Sequence, residues 1–176
     1  MLRIGDIFSD QDGADYEVTS ELGRGGMGVV FLVQELEGQR NQYVAKCPLS
    51  GTALECKKIS NEFRILSKLE EKNVSSIIRP HKLADFKTGN RDVPLFLMPL
   101  AKGVELHKHL QNIGAISPED VSDILVKIAE TMSEVHKSGY IHRDLKPENL
   151  FVDNIGGGNE FTIIDWGIAA VKDDQN

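Results

Sequence analysis

Residues 141–151 read IHRDLKPENLF. Asp144 and Asn149 share a polar loop, with Lys146 between them and Pro147 restricting the backbone. A carboxylate can accept a hydroxyl proton, a lysine can stabilise developing phosphoryl charge, and an amide oxygen can ligate a hard cation. A polar loop that merely follows a helix gives no reason for all three groups to converge. Immediately downstream, LFVD and EFTIID read as two strands around the turn NIGGGN. In antiparallel pairing Leu150 is expected to face Ile164, which makes Asn149 and Asp165 neighbours at the open end of the hairpin. An amide oxygen and a carboxylate side by side suit Mg²⁺, provided phosphate oxygens and water complete the octahedron.

Upstream, Ser117 to Lys137 is the clearest helix. Ser117 can cap it, Pro118 suits its first turn, Asp120 adds acidic charge there, and Gly139 lies just beyond its end. Val121, Ile124, Leu125, Ile128, Met132 and Val135 recur at helical spacing as one apolar stripe. Further back, YEVTSELGRGGMGVVFLVQELEGQRNQYVAKCPL predicts three antiparallel strands joined by turns. A helix follows from Leu54 to Glu70, then strand-like pieces at SSIIRPHKLADF and VPLFLMPL. A strand-rich first half and a helix-led second half predict an α+β protein with a boundary near Leu100 to Gly103.

The glycine-rich stretch LGRGGMGVV sets Gly23, Gly25 and Gly28 between two strand-like runs. Glycines so spaced let backbone amides approach a phosphate with no side chain intervening. A dinucleotide fold is disfavoured, because that motif opens directly into a helix and VVFLVQE continues as strand. Lys46 ends the strand YVAKCP, with Val44 on the same face. In the next helix Ile59, Phe63, Leu66 and Leu69 form an apolar stripe, and Glu62 falls within its arc. Such a carboxylate needs a partner. Lys46 is the nearest plausible cation, and Glu55 and Glu70 are competing, less well placed partners for it.

Composition narrows the partners. The chain has 176 residues and a net charge of −7, and no basic stripe interleaved with aromatics, so nucleic acid is not an expected partner. Cys47 and Cys56 lack metal-ligand spacing and read as reduced packing residues. No apolar h-region opens the chain and no 18 apolar residues run together, so the expectation is a soluble, cytoplasmic protein without a membrane partner.

Taken together, these motifs resemble the protein kinase superfamily, specifically its serine/threonine branch and the bacterial eukaryotic-like (Hanks-type) kinases, in the expected order from about Tyr16 to Gly167. The resemblance implies an antiparallel β-sheet N-lobe with one main helix over residues 1–101, and a truncated helical C-lobe over 102–176. It implies that Gly23, Gly25 and Gly28 cover the phosphates of ATP, with Leu22, Arg24 and Gly26 among the further cofactor-binding residues, that Lys46 holds the α- and β-phosphates, and that Glu62 orients Lys46. Met98 looks like the gatekeeper and Pro99 to Ala101, with Leu100, like the hinge; Val30, Val44 and Phe151 sandwich the adenine. Asp144 is implied as catalytic base, Lys146 as the group that steadies the transferred phosphoryl, and Asn149 and Asp165 as Mg²⁺ ligands. Lys146 in DLKPEN favours a protein serine or threonine acceptor, and speaks against a small-molecule phosphotransferase.

Departures accompany the likeness. Val44 stands at a usual alanine, Phe151 at a usual leucine, and Trp166 at a usual phenylalanine; Pro99 removes one hinge amide. After DWGIAAVKDDQN the family continues through an activation segment and further helices that do not follow here, so Arg143 lacks its usual phosphorylated partner. The alternative expectation is therefore a truncated kinase-like module that binds nucleotide and regulates by contact, with a partner chain covering the exposed helical face.

Overall fold

The computed structural model describes residues 2–153 and 160–172. Contacts divide the chain into two units: Met1–Arg64 with Arg79–Leu100, and Ile65–Ile78 with Ala101–Asn176. This differs from a cut at 101/102, because Ile65–Ile78 belongs with the second unit. The reason is local bonding. Ser75 donates from both its amide and its hydroxyl to Glu134, Lys72 Nζ donates to the Ser138 carbonyl, and Ile77 bridges Ile163 in parallel.

The first unit is a six-stranded antiparallel sheet. Its strands are β1 (Ile7–Ser9), β2 (Asp15–Gly25), β3 (Gly28–Glu35), β4 (Gln42–Cys47), β5 (Lys82–Thr88) and β6 (Arg91–Met98), in the order β1-β2-β3-β4-β6-β5. Alternation explains its core: Val29, Phe31 and Val33 on β3, Ala45 and Cys47 on β4, and Leu95 and Leu97 on β6 are buried in one cluster. The far edge is reached from beside β1, where Asp10, just past that strand, bridges Ala84 of β5. The connection SSIIRP is not strand; within the predicted piece SSIIRPHKLADF, only the residues from Lys82 onward enter the sheet.

Helix α1 (Ala53–Glu71) begins where a reciprocal cap starts it. The Glu55 amide donates to Thr52 Oγ1 and the Thr52 amide donates back to Glu55 Oε2, a Thr-x-x-Glu capping box. Glu55 is thus committed to the cap. The division between the two units falls within this helix.

The second unit carries β7 (Val104–Glu105), α2 (Leu106–Ile113), α3 (Pro118–Lys137), β8 (Tyr140–Ile141), a 3₁₀ turn over Pro147–Asn149, β9 (Leu150–Asp153), β10 (Glu160–Ile163) and β11 (Ala170–Val171). Two small sheets result, β10-β9-β7 and β11-β8. Ser117 caps α3 by accepting the Asp120 amide at 3.1 Å, and Gly139 beyond its end has φ +84°. Only part of the α3 stripe is covered: Ile124, Thr131 and Val135 are buried, whereas Val121 and Leu125 are 39% and 59% exposed. Those two line an apolar groove of about 310 Å³ with Leu106, Leu110 and Leu145.

The β9–β10 register corrects the sequence expectation by one residue. Leu150 pairs with Ile163, not Ile164, and Val152 pairs with Phe161. Directly opposed residues share a face, and this register puts the buried pairs Leu150–Ile163 and Val152–Phe161 together. A slip of one residue would send Phe161 and Ile163 to the other face, so burial selects the observed register. The turn NIGGGN, residues 154–159, lies outside the described residues.

Candidate functional site

The implied site residues fall in both units, and each group has its own geometry. In the first unit, one row crosses the sheet through directly paired residues: Gly23, Val30, Lys46, Phe96 and Leu83. Lys46 therefore shares a sheet face with Gly23 and Val30. Its neighbour Cys47 points the other way into the core, where burial pushes the thiol up to about 12 and leaves it an inert packing group.

Lys46 Nζ lies 2.7 Å from Glu62 Oε1, with the two side chains 5% and 3% exposed. The partner choice follows from position. Glu62 lies on the buried face of α1 among Ile59, Leu66 and Leu69, whereas Glu55 serves the cap and Glu70 is exposed. Burial of both charges is tolerable only because they meet.

The glycines separate into two kinds. A Cβ added at Gly28 would sit 2.4 Å from the Cys47 carbonyl oxygen, at φ +132°, so the fold itself demands glycine there. A Cβ at Gly23, Gly25 or Gly26 would meet nothing within 4 Å. Among the described residues no packing contact requires glycine at these three positions near the tip of the β2–β3 hairpin, and their backbone lies open. Arg24 sits opposite Val29, on the other sheet face from Lys46, and its guanidinium is engaged by Glu21 at 2.7 and 2.9 Å. On Lys46's face Arg24 can supply only backbone. Val44 is 8% exposed and pairs with half-buried Met98, while Leu22 and Leu100 are largely exposed.

In the second unit, β8 delivers the loop that carries Asp144, and β11, paired with β8, receives the chain after Asp165. Asp144 Oδ2 accepts from Lys146 Nζ at 2.8 Å and from Asn149 Nδ2 at 3.0 Å. The Lys146 ammonium, with help from Asn149, holds the Asp144 carboxyl below the usual carboxylate range. The Asp144 carboxylate in turn pulls the lysine up. Asn149 is buried, and its Nδ2 also donates to the Asp144 carbonyl at 2.8 Å. With the nitrogen spent, the amide orientation is set, and the oxygen is the end left to meet a cation.

Because of the shifted register, the residue across from Asn149 is Ile164, whose amide donates to the Asn149 carbonyl at 2.9 Å. Asp165 follows at φ +58°, and Arg143 lies at φ +69°. Left-handed backbone at two non-glycine residues marks both ends of this site as locally strained. Asp165 and Phe151 are half-buried. Among the described residues no group of three or more His, Cys, Asp or Glu could hold a metal ion. An asparagine oxygen with one carboxylate is a hard-donor set that fits Mg²⁺ only when phosphate oxygens and water supply the remaining positions.

Sequence reasoning overlooked His142. It is 2% exposed, accepts the Asp144 amide on Nδ1 at 3.2 Å, and so carries its proton on Nε2, which lies 3.2 Å from the Ile164 carbonyl. One imidazole thereby ties the Asp144 loop to the residue before Asp165. The fully buried Trp166 packs edge-on against it, ring centroids 4.5 Å apart. The available signal was a histidine directly after the apolar Ile141 and two residues before the carboxylate.

A family profile described as "Protein kinase domain" matches residues 16–176. A probable serine/threonine-protein kinase of Corynebacterium efficiens is 29% identical over 91% of this chain and 24% of its own length. A calcium/calmodulin-dependent protein kinase type 1 of Caenorhabditis briggsae is 29% identical over 90% of this chain and 43% of its own. The serine/threonine-protein kinase PknH of Mycobacterium bovis is 28% identical over 98% of this chain and 27% of its own. The chain spans less than half the length of these relatives.

Proposed function

The chain belongs to the protein kinase domain family, and from that membership we propose that it transfers the γ-phosphoryl group of ATP to a serine or threonine hydroxyl of a protein. The observation that carries the reading is the Lys146–Asp144–Asn149 cluster, in which Lys146 and Asn149 each donate to Asp144 Oδ2, at 2.8 and 3.0 Å. The named serine/threonine kinases among the relatives support the acceptor class.

Under this proposal the work divides as follows. Gly23, Gly25 and Gly26 offer open backbone to the ATP phosphates, and Lys46, fixed by Glu62, neutralises their charge. In the first unit Leu22, Val30, Val44, Met98 and Leu100 provide the adenine environment. Asp144, kept ionised by its partners, is a weak base and a firm anchor: it accepts the hydroxyl hydrogen and aims the oxygen at phosphorus. Lys146 moves from Asp144 toward the transferred phosphoryl as charge develops there. Mg²⁺ held through Asn149 Oδ1 and Asp165 supplies further neutralisation of the phosphate oxygens when bound.

Phosphate transfer from radiolabelled ATP to a serine-containing protein acceptor tests the reading, with wild type set against Asp144→Asn. The variant is expected to lose at least about 100-fold in rate, the low end for a positioned acid–base group. Equal incorporation by the two proteins overturns the assignment. Exposed Val121 and Leu125 favour one second reading, a module that binds nucleotide and acts through a partner on that face. Nucleotide binding without transfer by the wild type selects it. Among the described residues no helix is long and apolar enough to cross a membrane.

A further inference from the structure

Residues 2–15 precede the span matched by the kinase profile, yet they are built into the first unit's sheet. Leu2 and Phe8 lie in its core, and Phe8 stacks on Tyr16 with ring centroids 5.5 Å apart. The centre of the arrangement is Asp10, whose side chain is 0% exposed. Its Oδ1 accepts the amides of Asp12 and Ala14 at 2.9 and 3.0 Å. Its Oδ2 accepts the Tyr16 hydroxyl at 3.0 Å and Lys82 Nζ at 2.9 Å. Every one of these donors is specific in kind: two hold a turn, one starts β2, and one belongs to β5.

Asp10 thus joins the two ends of the strand order. β1 is three residues long, and just past it the two edges meet through the Asp10–Ala84 bridge and through Lys82, whose ammonium lies 2.9 Å from a carboxylate oxygen of each of Asp10 and Asp12. The grip is also aligned with the proposed nucleotide-handling lysine. Lys82 pairs with Leu97, and Leu97 pairs with Ala45, the residue beside Lys46 on β4.

We propose that residues 2–15 form a clasp, locked by Asp10 between Tyr16 and Lys82, that closes the sheet and holds β4 in register, so that opening the clasp loosens the strand carrying Lys46. An aspartate suits the lock because it offers oxygens alone. An amide in its place must set its NH2 against donors on one side or the other, the Asp12 and Ala14 amides or the Tyr16 hydroxyl and Lys82 ammonium, and it leaves Asp12 as the one carboxylate paired with Lys82 at 2.9 Å.

Residue-resolved amide hydrogen exchange on the whole chain tests this, with Asp10→Asn as the severe variant and Tyr16→Phe as the mild one. In Asp10→Asn the β1, β5 and β4 amides are expected to exchange at least tenfold faster, with α3 unchanged; Tyr16→Phe raises the same amides less. Wild-type rates at β5 and β4 in both variants overturn the clasp. So does equal acceleration across all amides, which signals general destabilisation. If Asp10→Asn does not fold, the pattern in Tyr16→Phe decides. A second readout rests on the nucleotide role given above to Lys46: ADP is expected to bind severalfold more weakly to Asp10→Asn. A wild-type chain that binds no ADP refutes that role alone, and the exchange pattern still judges the clasp.

Discussion

Removing one member of the Lys46–Glu62 pair should cost far more than removing both. With side chains 5% and 3% exposed, the pair lies outside the regime of surface ion pairs, which contribute roughly 0–1 kcal/mol. Glu62→Gln strands a buried ammonium, and Lys46→Met strands a buried carboxylate; either should cost about 3–5 kcal/mol. That is about two to four powers of ten in the folding equilibrium. It is also a large part of the roughly 5–15 kcal/mol that holds a typical domain. The double variant Lys46→Met/Glu62→Leu replaces both charges with apolar groups beside Ile59, Leu66 and Phe96, and should return to within about 1 kcal/mol of wild type, or exceed it. Urea unfolding followed by far-ultraviolet circular dichroism measures all four proteins. With a slope of about 1–3 kcal/mol per molar, the single variants should shift the midpoint down by about 1–5 M. Losses below about 1 kcal/mol in both single variants refute the reasoning. A double variant as unstable as the two singles combined refutes it equally. The double variant, though stable, should no longer bind ATP, which separates the pair's structural cost from its chemical use.

Two further outcomes follow from other parts of the structure. Gly28→Ala should destabilise the first unit by about 1–3 kcal/mol, because its Cβ would meet the Cys47 carbonyl at 2.4 Å in left-handed backbone, whereas Gly25→Ala should leave urea stability unchanged and weaken ATP binding by titration calorimetry. Acid should also release the α1 cap. Hydrogen bonds from the Ser50 hydroxyl and the Thr52 amide lower Glu55 to about 2 from 4.5. A lowered native value means the cap stabilises fully above pH 4.5, and its contribution is lost as pH falls from there towards 2. Glu55→Gln should flatten the stability–pH curve across that window, and an unchanged acid slope counts against the cap.

Much of this architecture is legible in the chain because several signals are local. Ser117, Pro118 and Gly139 bracket α3 by chemistry that acts within one turn, and the alternation of Val29, Phe31 and Val33 writes a strand directly. Lys46 and Glu62 are readable for a different reason: a carboxylate within an apolar stripe needs a cation. What escaped depends on partners far along the chain. β1 is three residues long and becomes a strand only by pairing with β2, and β7 is shorter still. α2 begins without a side-chain cap at Glu105, so no start signal exists to find. The β9–β10 register failed by one residue because the loop length alone leaves two choices, and which residues become buried decides between them. His142 was passed over because its two bonds reach backbone groups of Asp144 and Ile164, which no pattern of residue types reports.

The row Gly23–Val30–Lys46–Phe96–Leu83 turns the sheet into a ruler. Each strand from β2 to β6 contributes one graduation, and the alignment of the glycine tip with the lysine is kept by counting residues rather than by any bond between their side chains. Insertions and deletions are consequently sorted by place. A residue added between Leu36 and Asn41, or at the turn joining β5 to β6, lengthens a connection and leaves every graduation where it was. The same residue added between Val30 and Glu35, or between Gln42 and Lys46, displaces the scale by one mark and turns Lys46 towards the core. The chain is thus free to vary in length at its turns and, where β3 meets β4, held to a strict count along its strands.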